Sequence, residues 1–480
     1  MAAPSSQERI IVIKERGIYL GVVVGILLLL TFFGLAYYCI KGHNLMIGFL
    51  IITILWTALS FLGAAFASPE FLSTTAFYSN GEPVKAIAIL NKIYQSAPEG
   101  WGTTLVNVCW GAWFGRVLME TGIASTLIRK TVELGGDKPM VTIALLNIVT
   151  AIIFTAMTGA GPVIAIGVIV LPIMMSLGVP KAIAMFSFME SVAAGIYLNP
   201  VNFAQYRAFF IDVDEMPDFT LGWYAGKWGY AALIISVVVT TILAGFFLKK
   251  SKTSHAWAAQ TRGASEQKDA PLYTLILPIV PVVLKIWLDF SVIGGFVIAG
   301  FAALFLCGKM KGSFKENCQL VNKLYYDGVV DTAPLVGFLL TLPMFNSVAT
   351  YASPFFKAVL GPVMPKSELV VCILFAVLLA LGLFRGPMTL VGCGAATLGV
   401  LRGVASFSVP FLYCVFAIPT ITVTIGSCIT QSWVAWGLAY TKVESKDYLK
   451  LSIPMTYICG ILLYVLTFVT MSGLGAEWFV

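Results

Sequence analysis

Two apolar runs in this 480-residue chain are broken in the same way. Thr158-Gly159-Ala160-Gly161-Pro162 interrupts the run from Met140 to Leu177, and Phe384-Arg385-Gly386-Pro387 interrupts the run from Leu369 to Leu401. When the sequence is slid 225 positions along itself, Gly161 meets Gly386, Pro162 meets Pro387, Gly167 meets Gly392 and Gly178 meets Gly403, with no gap. Gly and Pro inside a hydrophobic run free backbone N–H and C=O groups. At membrane depth such groups are tolerated only where protein or a watery cavity satisfies them. The repeated break therefore points to two similar halves, each bringing irregular backbone to the same depth.

Composition sets the class. The chain is 59% hydrophobic and 11% charged, which excludes a soluble globular domain and predicts an all-α polytopic membrane protein. The first apolar run, Ile18 to Ile40, is long enough to span and reads as a retained helix rather than a cleaved signal peptide. Basic residues cluster in short loops, so the +7 net charge encodes topology and does not call for nucleic acid. The nine cysteines form no C-x-x-C pair and the two histidines, His43 and His255, lie in separate loops, so no metal centre or organic cofactor is expected.

Spanning runs follow in order: Ile18–Ile40, Leu45–Ala67, Trp101–Met119, the broken Met140–Leu177, Lys181–Phe210 with a break at Asn199-Pro200-Val201-Asn202, and Leu221–Leu248. Val84–Tyr94 and Ile123–Leu134 read as surface helices. The second half repeats the order: Leu272–Leu288, Phe290–Leu306, Val329–Thr350, the broken Leu369–Leu401, Phe407–Tyr440 with a polar interruption from Thr420 to Ser432, and Leu451–Met471. Lys309–Asp327 reads as a polar connector and Ser353–Lys366 as a surface segment. Each broken run is too long for one helix and reads as a re-entrant hairpin. Each half then has five crossings, one hairpin and an unwound helix. An odd number of crossings inverts the second copy. The division is 1–248, first inverted repeat; 249–271, basic linker; 272–480, second inverted repeat. Lys249–Pro271, Lys309–Lys323 and Arg129–Lys138 are basic and predicted cytoplasmic; Ile211–Thr220 carries four acids and no base and is predicted outside. This topology puts both termini outside, against the basic N-terminal residues Arg9, Lys14 and Arg16.

Matched breaks of this kind are the sequence pointer to a secondary transporter's site. A helix starting at Gly161 or Gly386 exposes N–H groups that suit a carboxylate, and a helix ending there exposes carbonyls that suit a cation. Gly159 belongs to the same tip, and Thr158 adds a hydroxyl. In the span after each hairpin, Asn199, Asn202 and Gln205 match Thr424, Ser427 and Thr430 at the same offset. They read either as a site shared by both halves or as caps and interhelical bonds. Arg385 at the second tip offers paired donors to a carboxylate, or balances a fixed acid such as Glu190. Glu190 lies inside an apolar run, where a charge costs ~3 kcal/mol or more. It reads as a proton-coupling site or as half of an ion pair. Arg207, Glu120, Asp331 and Arg402 read as interfacial.

These features resemble the ion transporter superfamily, from about Trp101 to Met471, and within it the citrate- and gluconate-type bacterial carriers. The carriers of the resemblance are Thr158–Pro162, Asn199–Asn202, Arg385-Gly386-Pro387 and the Thr424–Ser432 break. The Ser-Asn-Thr signature of the sodium-coupled dicarboxylate branch is absent from both tips. The resemblance implies a symporter for a small organic anion such as citrate, gluconate or a dicarboxylate, driven by H⁺ or Na⁺. It also implies a homodimer in a bacterial inner membrane and no enzymatic activity. A Na⁺/H⁺ antiporter of the same architecture is the alternative.

Overall fold

The computed structural model describes residues 21–478 except 36, 39, 40, 42, 74, 137, 211–215, 252–268, 362–364 and 393. The N-terminal basic residues, the core of the predicted linker and most acids of the predicted external loop fall outside the described residues. The rest is almost wholly helical. The one sheet among the described residues is a two-stranded hairpin, Tyr78–Ser79 against Glu82–Pro83.

The chain is a membrane protein. Four helical stretches among the described residues are long and apolar enough to cross a bilayer: Met46–Phe66, Leu221–Lys250, Val409–Thr441 and Ser445–Met471. Two bent pairs bring the number to six if each is one span: Lys181–Ile196 with Pro200–Arg207, bent by 66°, and Glu368–Val377 with Leu379–Arg385, bent by 62°. The other predicted spans form shorter or less apolar helices. Leu272–Leu288 is split into a 3₁₀ turn, Leu272–Ile276, and a helix, Val280–Leu288. On Leu221–Lys250, Ile234, Val238, Ile242 and Phe246 form an exposed stripe at every fourth position, the pattern of a lipid-facing side.

The elements around the breaks are labelled as follows. In the first half, α1 is Gly102–Glu120, α2 Pro139–Phe154, α3 Ala160–Ser176, α4 Lys181–Ile196, α5 Pro200–Arg207 and α6 Tyr230–Lys250. The second contributes α7 Phe314–Leu360, α8 Glu368–Val377, α9 Gly394–Val404, α10 Val409–Ile418, α11 Ser432–Thr441 and α12 Ser445–Met471.

The first break is short. α2 ends at Phe154, Gly159 takes φ +96°, and α3 starts at Ala160. The second is longer than the sequence reading placed it. α8 ends at Val377, a 3₁₀ segment runs over Leu379–Arg385, and α9 begins only at Gly394. Gly386, Pro387, Gly392 and Gly394 crowd this stretch, and Gly and Pro are the poorest helix formers.

A second difference is α7. The predicted connector, span and surface segment form one helix of 47 residues, about 70 Å long at 1.5 Å per residue. The polar connector carries four lysines and contains no proline, and from Phe314 it continues the helix. A capping box starts it: Ser313 Oγ accepts from Glu316 N–H, and the Ser313 backbone N–H and hydroxyl donate to Glu316 Oε2. Those bonds, the backbone one foremost, lower the Glu316 pKa.

Two segments are buried on all faces. Every residue of α4 from Ile183 to Ile196 is buried, as is all of α10 and the π-helix Pro419–Ser427 that follows it. A helix apolar all round belongs in the interior. α4 packs on α2, α6 and the π-helix. α6 and α12 run antiparallel: Trp228 bonds Thr467, Ser236 meets Cys459 and Thr240 reaches Met455, so numbers fall on one as they rise on the other.

Candidate functional site

The bend after α4 explains Asn199. Pro200 has no N–H and opens a new helix. Asn199 caps that helix, its Oδ1 accepting from Val201 N (3.0 Å) and Asn202 N (3.2 Å). Its Nδ2 donates to the Phe154 and Met157 carbonyls, both at 3.0 Å, which the end of α2 leaves open. Asn199 therefore ties the bent span to the first break. Thr424 does the same in the second half, donating to the Gly382 carbonyl at 3.2 Å. Gly382 is the counterpart of Met157 at the 225 offset. Both side chains are fully buried and serve as staples; neither reaches a cavity.

A cavity of about 520 Å³ lies where the breaks meet. Thr158, Gly159 and Ala160 come from the first break, Asn202, Gln205 and Tyr206 from α5, Arg385 from the second break, and Gln431 and Ser432 from the start of α11. Of the predicted site residues, Thr158, Gly159, Asn202 and Arg385 line it. Gly161, Asn199, Gly386, Thr424, Ser427 and Glu190 are not among its lining residues. Thr158 Oγ1 and Asn202 Oδ1 are 3.4 Å apart, and Asn202 Nδ2 donates to the Tyr206 hydroxyl at 3.3 Å. Arg385 has φ +58°, preceded by Phe384 at +55°, a left-handed pair in two non-glycine residues. Its Nη1 donates to the Val391 carbonyl at 3.1 Å and Nη2 to Gln431 Oε1 at 2.8 Å. These bonds hold the planar guanidinium at the wall.

Asp331, expected to be interfacial, has a role in the structure that the sequence did not show. It sits within α7, lines the cavity, and takes a two-pronged bond from Arg116 on α1: Nε to Oδ2 at 2.6 Å and Nη2 to Oδ1 at 2.5 Å. Gly161 makes room for it; a Cβ there would lie 2.2 Å from Oδ2. The carboxylate packed against the first turn of α3 is thus the protein's own. Sequence offered a signal that was passed over. Arg116 and Asp331 are opposite charges inside two predicted spans, and charges at membrane depth pair. Arg207 is buried, and its Nη2 donates to the Met216 carbonyl.

Glu190 forms a second, separate centre. It is 1% exposed on α4. Ser427 Oγ donates to its Oε1 at 2.7 Å, and Ser427 also meets Thr456 Oγ1 on α12 at 3.0 Å. The single Ser427 proton goes to Glu190, so Thr456 is the donor to Ser427. Oε2 has no hydrogen-bond partner among the described residues. Gly426 allows the approach, since a Cβ there would lie 2.4 Å from Oε2. Among the described residues no Lys or Arg pairs with Glu190, and the alternative of an Arg385–Glu190 ion pair is not realised. An ionised carboxylate buried this way costs several kcal/mol, and a bound proton removes that cost.

A larger cavity, about 710 Å³, lies between α7 and α9 and is lined by Glu70, Asn346, Lys357 and Arg402 among others. It includes no residue of either break. The 520 Å³ cavity, where irregular backbone and polar side chains from both halves converge, is the candidate site. No protein-family model matches the chain, and no curated protein is significantly similar to it in sequence.

Proposed function

We propose that this chain is a secondary active transporter importing a small organic anion, a carboxylate such as citrate, gluconate or a dicarboxylate, coupled to H⁺ or Na⁺. One observation carries the reading. At the 225 offset Ala160 matches Arg385 and Tyr206 matches Gln431, and all four line one cavity. A site assembled from corresponding broken elements of two halves is the arrangement of inverted-repeat carriers. Two further contacts support a two-fold relation between 1–248 and 272–480. The last long helix of each half, α6 and α12, pack antiparallel. Tyr197 OH lies 2.7 Å from the hydroxyl of Thr422, its own counterpart, and a residue touches its counterpart only near the axis relating the copies.

In this reading the breaks are re-entrant tips and α4–α5 and α10–α11 are the unwound spans. Arg385 binds the carboxylate through its fork of donors, and Thr158, Asn202, Gln205, Gln431 and Ser432 bond the remainder. Glu190 carries the coupling proton. The tips and bent spans move against a scaffold made of the first two spans of each half. The chain works as a carrier rather than an enzyme, as a homodimer in a bacterial inner membrane, without nucleic acid or organic cofactor. The alternative Na⁺/H⁺ antiporter needs an acid open to ions in the cavity. The acid there is Asp331, and Arg116 engages both its oxygens, which favours the anion.

A cysteine placed at Ala160, on a background without the native cysteines, tests the site. It is expected to react with a small water-soluble thiol reagent, and the transported carboxylate is expected to slow that reaction several-fold. Inertness in active protein, or protection by no carboxylate, contradicts the assignment of this cavity.

A further inference from the structure

The Glu190 carboxyl has one hydrogen-bond partner among the described residues, Ser427 Oγ at 2.7 Å, and Ser427 in turn meets Thr456 Oγ1 at 3.0 Å. These two hydroxyls join α4 to α12 through the end of the π-helix. Three other titratable side chains among the described residues feel the Glu190 charge: Tyr448 and Cys459 on α12, and Tyr197 at the end of α4. None bonds to it. Tyr448 donates to the Gly426 carbonyl, Tyr197 meets Thr422 and Cys459 meets Ser236. Glu190 is also not among the residues lining the cavity of about 520 Å³. The hydrogen-bonded way out of its carboxyl therefore runs through Ser427 to Thr456.

Two hydroxyls can carry a proton because each is both donor and acceptor. With Glu190 ionised, Thr456 donates to Ser427 and Ser427 to Oε1. With Glu190 neutral, a proton on Oε2 meets no acceptor among the described residues, and a buried donor left unpaired is costly. A proton on Oε1 instead donates to Ser427 Oγ, and Ser427 turns to donate to Thr456. The two states differ in the direction of the chain. The transfer balances: Thr456 takes a proton from the α12 side and gives its own to Ser427, Ser427 gives its own to Glu190, and each hydroxyl is left with one. Release runs the same steps in reverse. α12 continues the line. Tyr448, Ser452, Thr456 and Cys459 follow at steps of four, four and three, so they share one face, and all four are buried. Ser452 Oγ, one turn before Thr456, has no hydrogen-bond partner among the described residues. About two turns before Ser452 the helix begins, and there Ser445, Lys446, Asp447 and Lys450 are exposed.

We propose that Ser427 and Thr456 are proton-relay residues that connect Glu190 to the end of α12 beginning at Ser445, apart from the cavity that takes the anion. The inference rests on the proton-coupled form of the anion-transporter reading and deepens it.

Thr456→Val keeps the shape of the side chain and removes the hydroxyl without touching Glu190. In proteoliposomes, its uptake driven by a pH gradient is expected to fall at least tenfold relative to anion exchange in the same vesicles. Thr456→Ser, which returns the hydroxyl, is expected to recover most of that loss, and Ser427→Ala to behave as Thr456→Val does. Because two positions are tested, a variant that fails to fold leaves the other to decide. Proton-driven uptake and exchange that fall in proportion, or a ratio unchanged from the unaltered protein, overturn the relay. The controls separate it from the reading beneath it. If Glu190→Gln abolishes proton-driven accumulation and the hydroxyl variants do not, the relay alone fails. If Glu190→Gln keeps that accumulation, or Na⁺ alone drives uptake, the coupling role of Glu190 fails and the relay with it. If the unaltered protein transports no carboxylate, the transporter reading falls and takes both.

Discussion

Arg385→Lys lowers affinity for the carried anion by ten- to a hundred-fold while the protein stays folded. Lysine keeps the charge but loses the planar fork that meets a carboxylate with two bonds. Losing one charge-assisted hydrogen bond costs ~1.5–3 kcal/mol, and ~1.4 kcal/mol is a factor of ten. The fold is not expected to follow, because lysine keeps the charge and a donor at the cavity wall, where Arg385 donates to the Val391 carbonyl and to Gln431 Oε1. Initial uptake rates against substrate concentration in proteoliposomes, with a melting curve of the same sample, check both halves. Unchanged affinity at unchanged stability would remove Arg385 from the anion site.

The second large effect is at Glu190. Glu190→Gln is expected to abolish accumulation driven by a pH gradient and to leave exchange of anion for anion. Glutamine keeps the acceptor for Ser427, and its amide occupies the position of the unpartnered Oε2, so the buried packing survives. What disappears is the ability to gain and lose a proton in a site with no basic partner among the described residues. The comparison is accumulation against exchange in the same vesicles. A variant that still concentrates the anion down a proton gradient assigns coupling elsewhere. If Na⁺ drives uptake in the unaltered protein, Glu190 is a structural acid.

Much of the backbone plan was legible because it leaves a trace in composition. Gly and Pro inside apolar runs marked Thr158–Pro162, Asn199–Asn202 and the stretch around Arg385. The structure breaks helices at all three. Residue roles were less legible. Asn199 and Thr424 have the polarity expected of ligands, yet broken helices need the same side chains to satisfy their own freed carbonyls. Sequence cannot say which need wins, and the structure gives both to the backbone. Ser427 went to Glu190 for a similar reason: a buried acid takes the nearest hydroxyl. Asp331 and Arg116 were missed because the pairing joins residues far apart in the chain, and periodicity is blind to it. The continuation of α7 through the predicted connector shows the limit of reading boundaries from polarity. Charged residues end an apolar run without ending a helix.

The most direct test of the account is uptake by purified protein in proteoliposomes, with a panel of labelled carboxylates and with inward H⁺ and Na⁺ gradients imposed separately. The account predicts concentrative uptake of at least one carboxylate under one of the two gradients, collapse when that gradient is dissipated, and loss of uptake in Arg385→Gln. Cation–proton exchange that proceeds without any anion, with no carboxylate accumulated under either gradient, would contradict it.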